Sequence, residues 1–318
     1  MTRRDLFRKA TAAGAVLSSR IASGKASQPA TRVNFAVPRG ACDCHTHIIG
    51  DPAKFPFAAN RVYTPEPASP EEMAALHRAL HIERVVIVTP SVYGTDNAAT
   101  LYGMKARGQN ARGIAVIDGN TPASDLEAME RAGMRGIRLN LATIGQNDPA
   151  SARRSFQGAV ERVRRLNWHI QMFTSLSVIV AIKDLVEAAP IPVVFDHFGG
   201  AQASLGVAQS GWADLIDLVR SGKAFVKLSA AYRMSTQAPD YPDVAPFARA
   251  LVAANPDRIL WGSDWPHPNS RPTGSAMNIT PLLAIDDGRL LNQLAVWVPD
   301  AGMRNKILVE NPARLYGF

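Results

Sequence analysis

The chain has 318 residues, 47% apolar and 19% charged, with a formal net charge of +8. That is an ordinary globular composition, long enough for one large core, and no run of 18 apolar residues offers a spanning helix. Residues 1–26 hold six basic residues against Asp5, leaving 29 basic and 26 acidic residues for the remainder, so the charge argues for a basic leader and against a nucleic-acid partner.

That leader opens Thr2-Arg3-Arg4-Asp5-Leu6-Phe7, which resembles a twin-arginine export motif, and continues through an apolar 10–17 stretch to small residues at 22–26. It divides the chain into a signal, 1–26, and one domain, 27–318, placed in the periplasm. If the leader is only a disordered basic tail, the location is cytoplasmic. Cys42 and Cys44 are the only cysteines and stand at i and i+2 along a strand, a geometry that disfavours a bond between them. They read as small buried apolar residues.

From residue 34 onward, short apolar runs alternate with amphipathic helices, the pattern of a parallel sheet with crossover helices. The first strand, 41–47, contains His45-Thr46-His47. Strict alternation puts Asp43, His45 and His47 on one face and Cys42, Cys44 and Thr46 on the other. The two imidazoles then lie roughly 6.5–7 Å apart, able to converge on one ion or one substrate oxygen. Ser69-Pro70-Glu71-Glu72 has the spacing of a capping box with proline at the first helical position. Met73, Leu76 and Leu80 give that helix its inward face.

Further strands are expected at 84–89, 113–117, 134–141, 168–173, 192–197, 224–228 and 259–262. A helix at 150–166 carries Phe156, Val160, Val163 and Leu166 on one stripe, and a last helix spans 303–315. Eight strand-like runs interleaved with helices predict a (β/α)8 TIM barrel in the α/β class. The competing open doubly wound sheet would normally offer a Gly-rich phosphate turn after its first strand, and none stands there.

In such barrels chemistry sits at the C-terminal ends of the strands. Strand one ends in His45 and His47, strand two in Thr89 and Ser91 with Tyr93 beyond, and strand four carries Arg138 and Asn140. Strand five offers His169 and Gln171, and strand six ends Asp196-His197. Strand seven leads through Lys227-Leu228-Ser229 to Tyr232 and Arg233, and strand eight ends Trp261-Gly262-Ser263-Asp264-Trp265-Pro266-His267. Packing alone favours Val, Ile and Leu at such positions, so polar groups repeated at one end of the barrel point to an active site.

These motifs resemble the amidohydrolase superfamily. Its lactonase-like group, which includes 2-pyrone-4,6-dicarboxylate lactonase, sugar lactonases and sulfomuconolactonase, is also similar at Met134-Arg135-Gly136-Ile137-Arg138-Leu139-Asn140 and at the tail Asn311-Pro312-Ala313-Arg314-Leu315-Tyr316. The similarity spans roughly 36–318. It implies hydrolysis or isomerisation of a carboxylate-bearing lactone, with Asp264 as general base and His45, His47 and His197 polarising the carbonyl. The cofactor is either none or a single divalent ion, zinc above all, on His45, His47, His197 or Asp264; no organic cofactor is expected.

Arg138 and Arg233 are candidates for a substrate carboxylate, because a guanidinium grips a carboxylate with two prongs. Thr89, Ser91, Tyr93, Asn140 and Tyr232 are candidates for ring oxygens, and His267 for the site's rim or for returning a proton to the leaving alkoxide. Only His169 and Gln171 stand where metal-rich members add a strand-five ligand, which disfavours a dinuclear site. Ile144 and Gly200 stand near positions that carry arginines in the pyrone dicarboxylate enzymes, leaving fewer cations for two carboxylates. The alternatives are a metal-dependent decarboxylase of an aromatic or unsaturated acid, and an exported non-catalytic binding barrel. Homo-oligomerisation is left open.

Overall fold

A computed structural model describes residues 26–318 apart from 144, 146, 147, 167 and 271–273. Residues 1–25 of the leader, with the twin-arginine motif, and Ile144 lie outside the described residues. Eight parallel strands follow in sequence order around one sheet: β1 (Cys42–Thr46), β2 (Arg84–Val88), β3 (Ala111–Ala115), β4 (Met134–Leu139), β5 (His169–Met172), β6 (Val193–Phe195), β7 (Ala224–Ser229) and β8 (Ile259–Gly262). The last strand returns to the first through a parallel bridge between Thr46 and Trp265. There Asp264 N donates to His45 O and His47 N donates to Trp265 O, each at 2.8 Å. This is the (β/α)8 barrel that the strand pattern predicts.

Helices cover the outside: α1 (Pro70–Leu80), α2 (Ala98–Arg107), α3 (Ala123–Arg131), α4 (Pro149–Val163), α5 (Leu176–Ala188), α6 (Trp212–Arg220), the single turn α7 (Ala231–Met234), α8 (Ala245–Ala254) and α9 (Asp287–Trp297). The start of α1 has the expected chemistry. Ser69 N donates to the Glu72 carboxylate at 2.8 Å, Glu72 N donates to Ser69 Oγ at 3.3 Å, and Pro70 takes the first helical position, where no N–H is needed.

Two expected element spans change. The third strand begins at Ala111, two residues earlier than the apolar run suggests, because Ala111 and Arg112 pair with Val85 and Val86 of β2. The tail, read as one helix, is three pieces: Ala301–Asn305, a wider π turn at Lys306–Glu310, and Asn311–Tyr316. Pro312 explains the break, since it has no N–H for Leu308 and its ring would press on that carbonyl in a regular α-helix.

The core has two layers. Val85, Ile87, Ile137, Ile170, Val193, Val226 and Ile259 face the helices, while Val86, Val88, Ile114, Val194, Phe225 and Leu260 face the barrel interior. Cys42 and Cys44 belong to the interior set, together with Tyr316, and both thiols are buried and unbonded. The alternation expected for β1 therefore fails. Its register on β2 shifts between Asp43 and Thr46, a bulge that inserts one extra residue. Below it the cysteines point inward and Asp43 points out to His77 of α1, 3.3 Å away. Above it the parity has flipped, so His45 also points inward and Thr46 turns out toward Met73. The cysteines lie beneath the histidines in the same barrel, not behind them on the opposite face.

Candidate active site

His45, His47, His197 and Asp264 come together at the C-terminal mouth of the barrel, all buried. Two of them depend on the bulge in β1, and two on the turns that end β6 and β8. Gly262 makes room at the last of these. A Cβ there would sit 2.7 Å from His45 Cβ and 2.9 Å from His45 N, so the closing strands approach this closely only over glycine. Gly136 does the same on β4, where a Cβ would meet the His169 ring at 2.7–2.8 Å.

The focus of the site is one oxygen. The Nε2 atoms of His47, His45 and His197 lie 3.4, 3.5 and 3.7 Å from Asp264 Oδ1. Their other ring nitrogens bear on what those contacts are. His47 Nδ1 is 2.7 Å from the Val88 carbonyl, which can only accept, so Nδ1 carries the proton. His45 Nδ1 stands between Asp196 Oδ1 at 3.1 Å, which can only accept, and Lys227 Nζ at 3.2 Å, which can only donate, so these neighbours do not fix its tautomer. His197 Nδ1 pairs with Ser229 Oγ at 2.8 Å. Burial drives the His45 ring well below its ordinary pKa despite Asp196, and lowers His197 to about 4 despite Asp264. With Nδ1 committed to Val88, His47 turns Nε2 toward the carboxylate oxygen, and His45 Nε2, aimed at the same oxygen, is a buried atom with no hydrogen-bond partner.

Such a cluster is stabilised by a cation at its centre. The donors of His45, His47 and Asp264 fit a divalent ion: they lie within 4.8 Å of one another, and the two Nε2 atoms stand 3.5 and 3.4 Å from Oδ1. Tetrahedral ligands about 2.0–2.1 Å from zinc are separated by roughly 3.3 Å. A second group, His45, Asp196 and His197, also has clustered donor atoms. It fits less well, because two fixed cations already crowd the Asp196 carboxylate, although Oδ1 itself has no hydrogen-bond partner. Arg138 reaches its Oδ2 with two nitrogens at 3.1 Å, Gln171 Nε2 donates at 3.0 Å, and Lys227 Nζ lies 3.3 Å from Oδ1. Lys227 is fully buried and also donates to Gln171 Oε1 at 2.6 Å.

Both aspartates are ionised. Burial pushes Asp196 up, but His45, Lys227 and Arg138 hold it well below the usual carboxylate range. Burial also pushes Asp264 up, and Arg233 with His197 outweighs it. Asp264 Oδ2 accepts from Tyr232 Oη at 2.6 Å and from Arg233 Nε at 2.7 Å, leaving Oδ1 toward the imidazoles.

Above this cluster opens a cavity lined by His47, Tyr63, Ser91, Arg138, Thr143, Phe173, His197, Arg233, Asp264, Pro268 and Ser270. Of the sequence-derived binding candidates, Arg138, Arg233 and Ser91 line it. Thr89 does not; its hydroxyl is held by Asn97 and Thr100 at 2.8 Å, on the side of α2. Tyr93 accepts from Gly50 N at 2.9 Å and packs on Phe57, and Asn140 is half-buried outside the lining. Tyr232 grips Asp264 from the side. His267 is fully buried behind it, not at a rim. His169 sits deeper, its ring against Tyr316, and Gln171 is engaged by Asp196 and Lys227.

Sequence reading passed over Asp196, Lys227 and Tyr63 as site residues. The first two carried a signal: charged residues inside apolar strand runs. Tyr63, in the loop after β1, carried none.

Residues 42–318 match the amidohydrolase family. The chain is 37% identical over 285 residues to the 4-sulfomuconolactone hydrolase of Rhizobium radiobacter, covering 90% of this chain and 92% of that one. It is 33% identical to the 2-pyrone-4,6-dicarboxylate hydrolase of Comamonas testosteroni, over 90% and 93% of the two chains. The apo crystal structure of an Agrobacterium tumefaciens protein superposes with a TM-score of 0.75 at 27% identity, covering 90% of this chain and 98% of that one.

Proposed function

The chain belongs to the amidohydrolase family, and from that membership we propose that it is a hydrolase acting on the ester bond of a carboxylate-bearing lactone. The observation that carries the reading is the convergence of three imidazoles on Asp264 Oδ1 beneath a cavity that two arginines share. The curated relatives named above, both hydrolases of lactone or pyrone rings by name, support the substrate class.

Arg138 and Arg233 bind the substrate carboxylate and turn the ring so that its carbonyl faces the histidines. Each guanidinium is itself fixed by an aspartate, Arg138 on Asp196 and Arg233 on Asp264, so little side-chain freedom is lost on binding. Tyr63 and Ser91 present hydroxyls to the ring oxygens. Asp264 accepts the proton of the attacking water at Oδ1, while Tyr232 and Arg233 hold its other oxygen. The proton then passes to the leaving alkoxide as the ring opens. A divalent ion, with zinc suited to this donor set, would be held by His45, His47, His197 and Asp264 and would supply Lewis acidity and a more acidic bound water. Export through the 1–26 leader belongs to the same reading. Periplasmic recovery of an Arg3→Lys/Arg4→Lys variant would count against it.

The test is metal analysis of the purified protein, followed by a screen of muconate-derived and sugar-acid lactones that reads proton release. Stoichiometric acid release with ring opening is expected. Carbon dioxide release with the ring intact would replace this reading with decarboxylation.

A further inference from the structure

His267 and Asp287 stand outside the cavity, and no step above uses them. Both are fully buried. His267 Nε2 lies 3.0 Å from Asp287 Oδ2, its Nδ1 lies 3.3 Å from the Tyr232 hydroxyl, and that hydroxyl lies 2.6 Å from Asp264 Oδ2. One line of hydrogen bonds therefore runs from the first turn of α9 to the reactive carboxylate.

Counting protons along this line fixes its direction. Asp264 is ionised and can only accept, so the single tyrosine proton is committed to it, as the short contact requires. The Tyr232 oxygen must then accept from His267, which places a proton on Nδ1. The remaining gap needs one more proton, shared between Nε2 and Asp287. Burial raises the Asp287 carboxyl, with His267 opposing, which favours keeping that proton in the pair.

The surroundings hold the line rigidly. Asp264 and His267 both have left-handed backbones, φ 66° and 60°, and His267 N donates to Asp264 O at 2.8 Å across the turn between them. At the far end, Asp286 accepts from the backbone of Ala30 and Thr31, and a Cβ on Gly288 would lie 1.8 Å from Thr31 O. The chain near residue 30 is thus clamped against the turn that carries Asp287.

We propose that His267 and Asp287 are positioning residues: the pair carries two protons, directs the Tyr232 hydroxyl onto Asp264 Oδ2, and so keeps Oδ1 as the basic edge toward the cavity. The assignment rests on Asp264 being the base of the reaction proposed above.

The test is nitrogen-15 NMR of histidine-labelled full-length protein, with the His267 signals identified by their absence from His267→Asn. In the wild type Nδ1 should carry a proton. In Asp287→Asn the carboxamide can donate to Nε2, so Nδ1 should stay protonated and activity should be largely kept. With the lactone substrate, Asp287→Ala and Tyr232→Phe should each lower kcat about 10- to 100-fold with KM within about twofold, in the range of losses seen for residues that orient an active group. The double variant should be no slower than Tyr232→Phe. If Asp287→Ala does not fold, His267→Asn, which keeps an N–H donor for Tyr232, should retain far more activity than His267→Leu. A bare Nδ1 in the wild type, additive losses in the double variant, or equal losses in the two His267 variants would overturn the proposal. Absence of any lactone turnover would instead sink the reaction and leave the nitrogen assignment readable.

Discussion

Asp196 and Asp264 make an instructive pair. Both are buried aspartates at the C-terminal ends of barrel strands, both touch His45, and both are ionised. Their neighbours differ. Asp196 lies among Arg138, Gln171, Lys227 and His45 away from the cavity lining, with Arg138 and Gln171 donating to Oδ2 and Lys227 Nζ 3.3 Å from an Oδ1 that has no hydrogen-bond partner. Asp264 accepts at Oδ2 from Tyr232 and Arg233, and its Oδ1 faces the Nε2 atoms of three histidines at the lining of the cavity. A carboxylate held among fixed cations away from the cavity can only support a site, whereas one in the cavity lining can meet a substrate. Burial alone does not tell them apart.

The sharpest way to break this comparison is to neutralise each aspartate in turn. Asp264→Asn should lower kcat by about 10³-fold, the range of a lost general base, with folding intact by circular dichroism. Turnover within a few-fold of wild type would refute its role. Asp196→Asn should act mainly on stability. It strands Lys227 and Arg138 in the interior, which costs about 3–5 kcal/mol in urea unfolding, while the looser His45 lowers kcat by about 10- to 100-fold. A larger catalytic loss than that of Asp264→Asn in a folded protein would reverse the two roles.

Chelation sharpens the contrast from the other side. Removing a bound divalent ion should lower Tm as well as activity, because an ion held by the native state stabilises it by mass action. The loss should disappear in His47→Ala and persist in Asp196→Asn. Calorimetry with and without chelator measures both.

Smaller effects come from the barrel beneath. Burial lowers His169 to about 3, below its value near 6.5 in an unfolded chain. Its contribution is therefore fully present above pH 6.5 and is lost as pH falls toward 3, when the unfolded chain binds the proton first. His169→Gln should flatten the fall of unfolding free energy between pH 6 and 4 by up to about 1.4 kcal/mol per pH unit. Smallest of all, Cys44→Ala in the apolar floor should cost about 1 kcal/mol and leave kcat within twofold, read by urea unfolding and initial rates.

Much of this was legible in order of residues. The strand runs, the capped start of α1 and the polar residues at the strand ends are local patterns, and each landed within a few positions of its place in the structure. His45, His47, His197 and Asp264 were readable because they interrupt apolar strands where packing gives no reason for them. Thr89 and Tyr93 were not separable from Ser91, since three polar residues after one strand can point into a cavity or into a neighbouring helix. Asp287 looked like any acidic residue in the first turn of a helix, where such residues are common.

The sequence by itself determined the barrel and the end of it that bears chemistry, because periodicity and polarity are properties of neighbours along the chain. Tertiary structure alone decided how the first strand meets the site. A bulge adds one residue, and in a period of two that moves every later side chain to the other face, placing His45 inward above Cys44. It alone also decided which aspartate lines the cavity and which lies beneath it among Arg138 and Lys227. Lys227 and His45 stand 182 positions apart, and only closure of the barrel brings that ammonium to the floor beneath the ring.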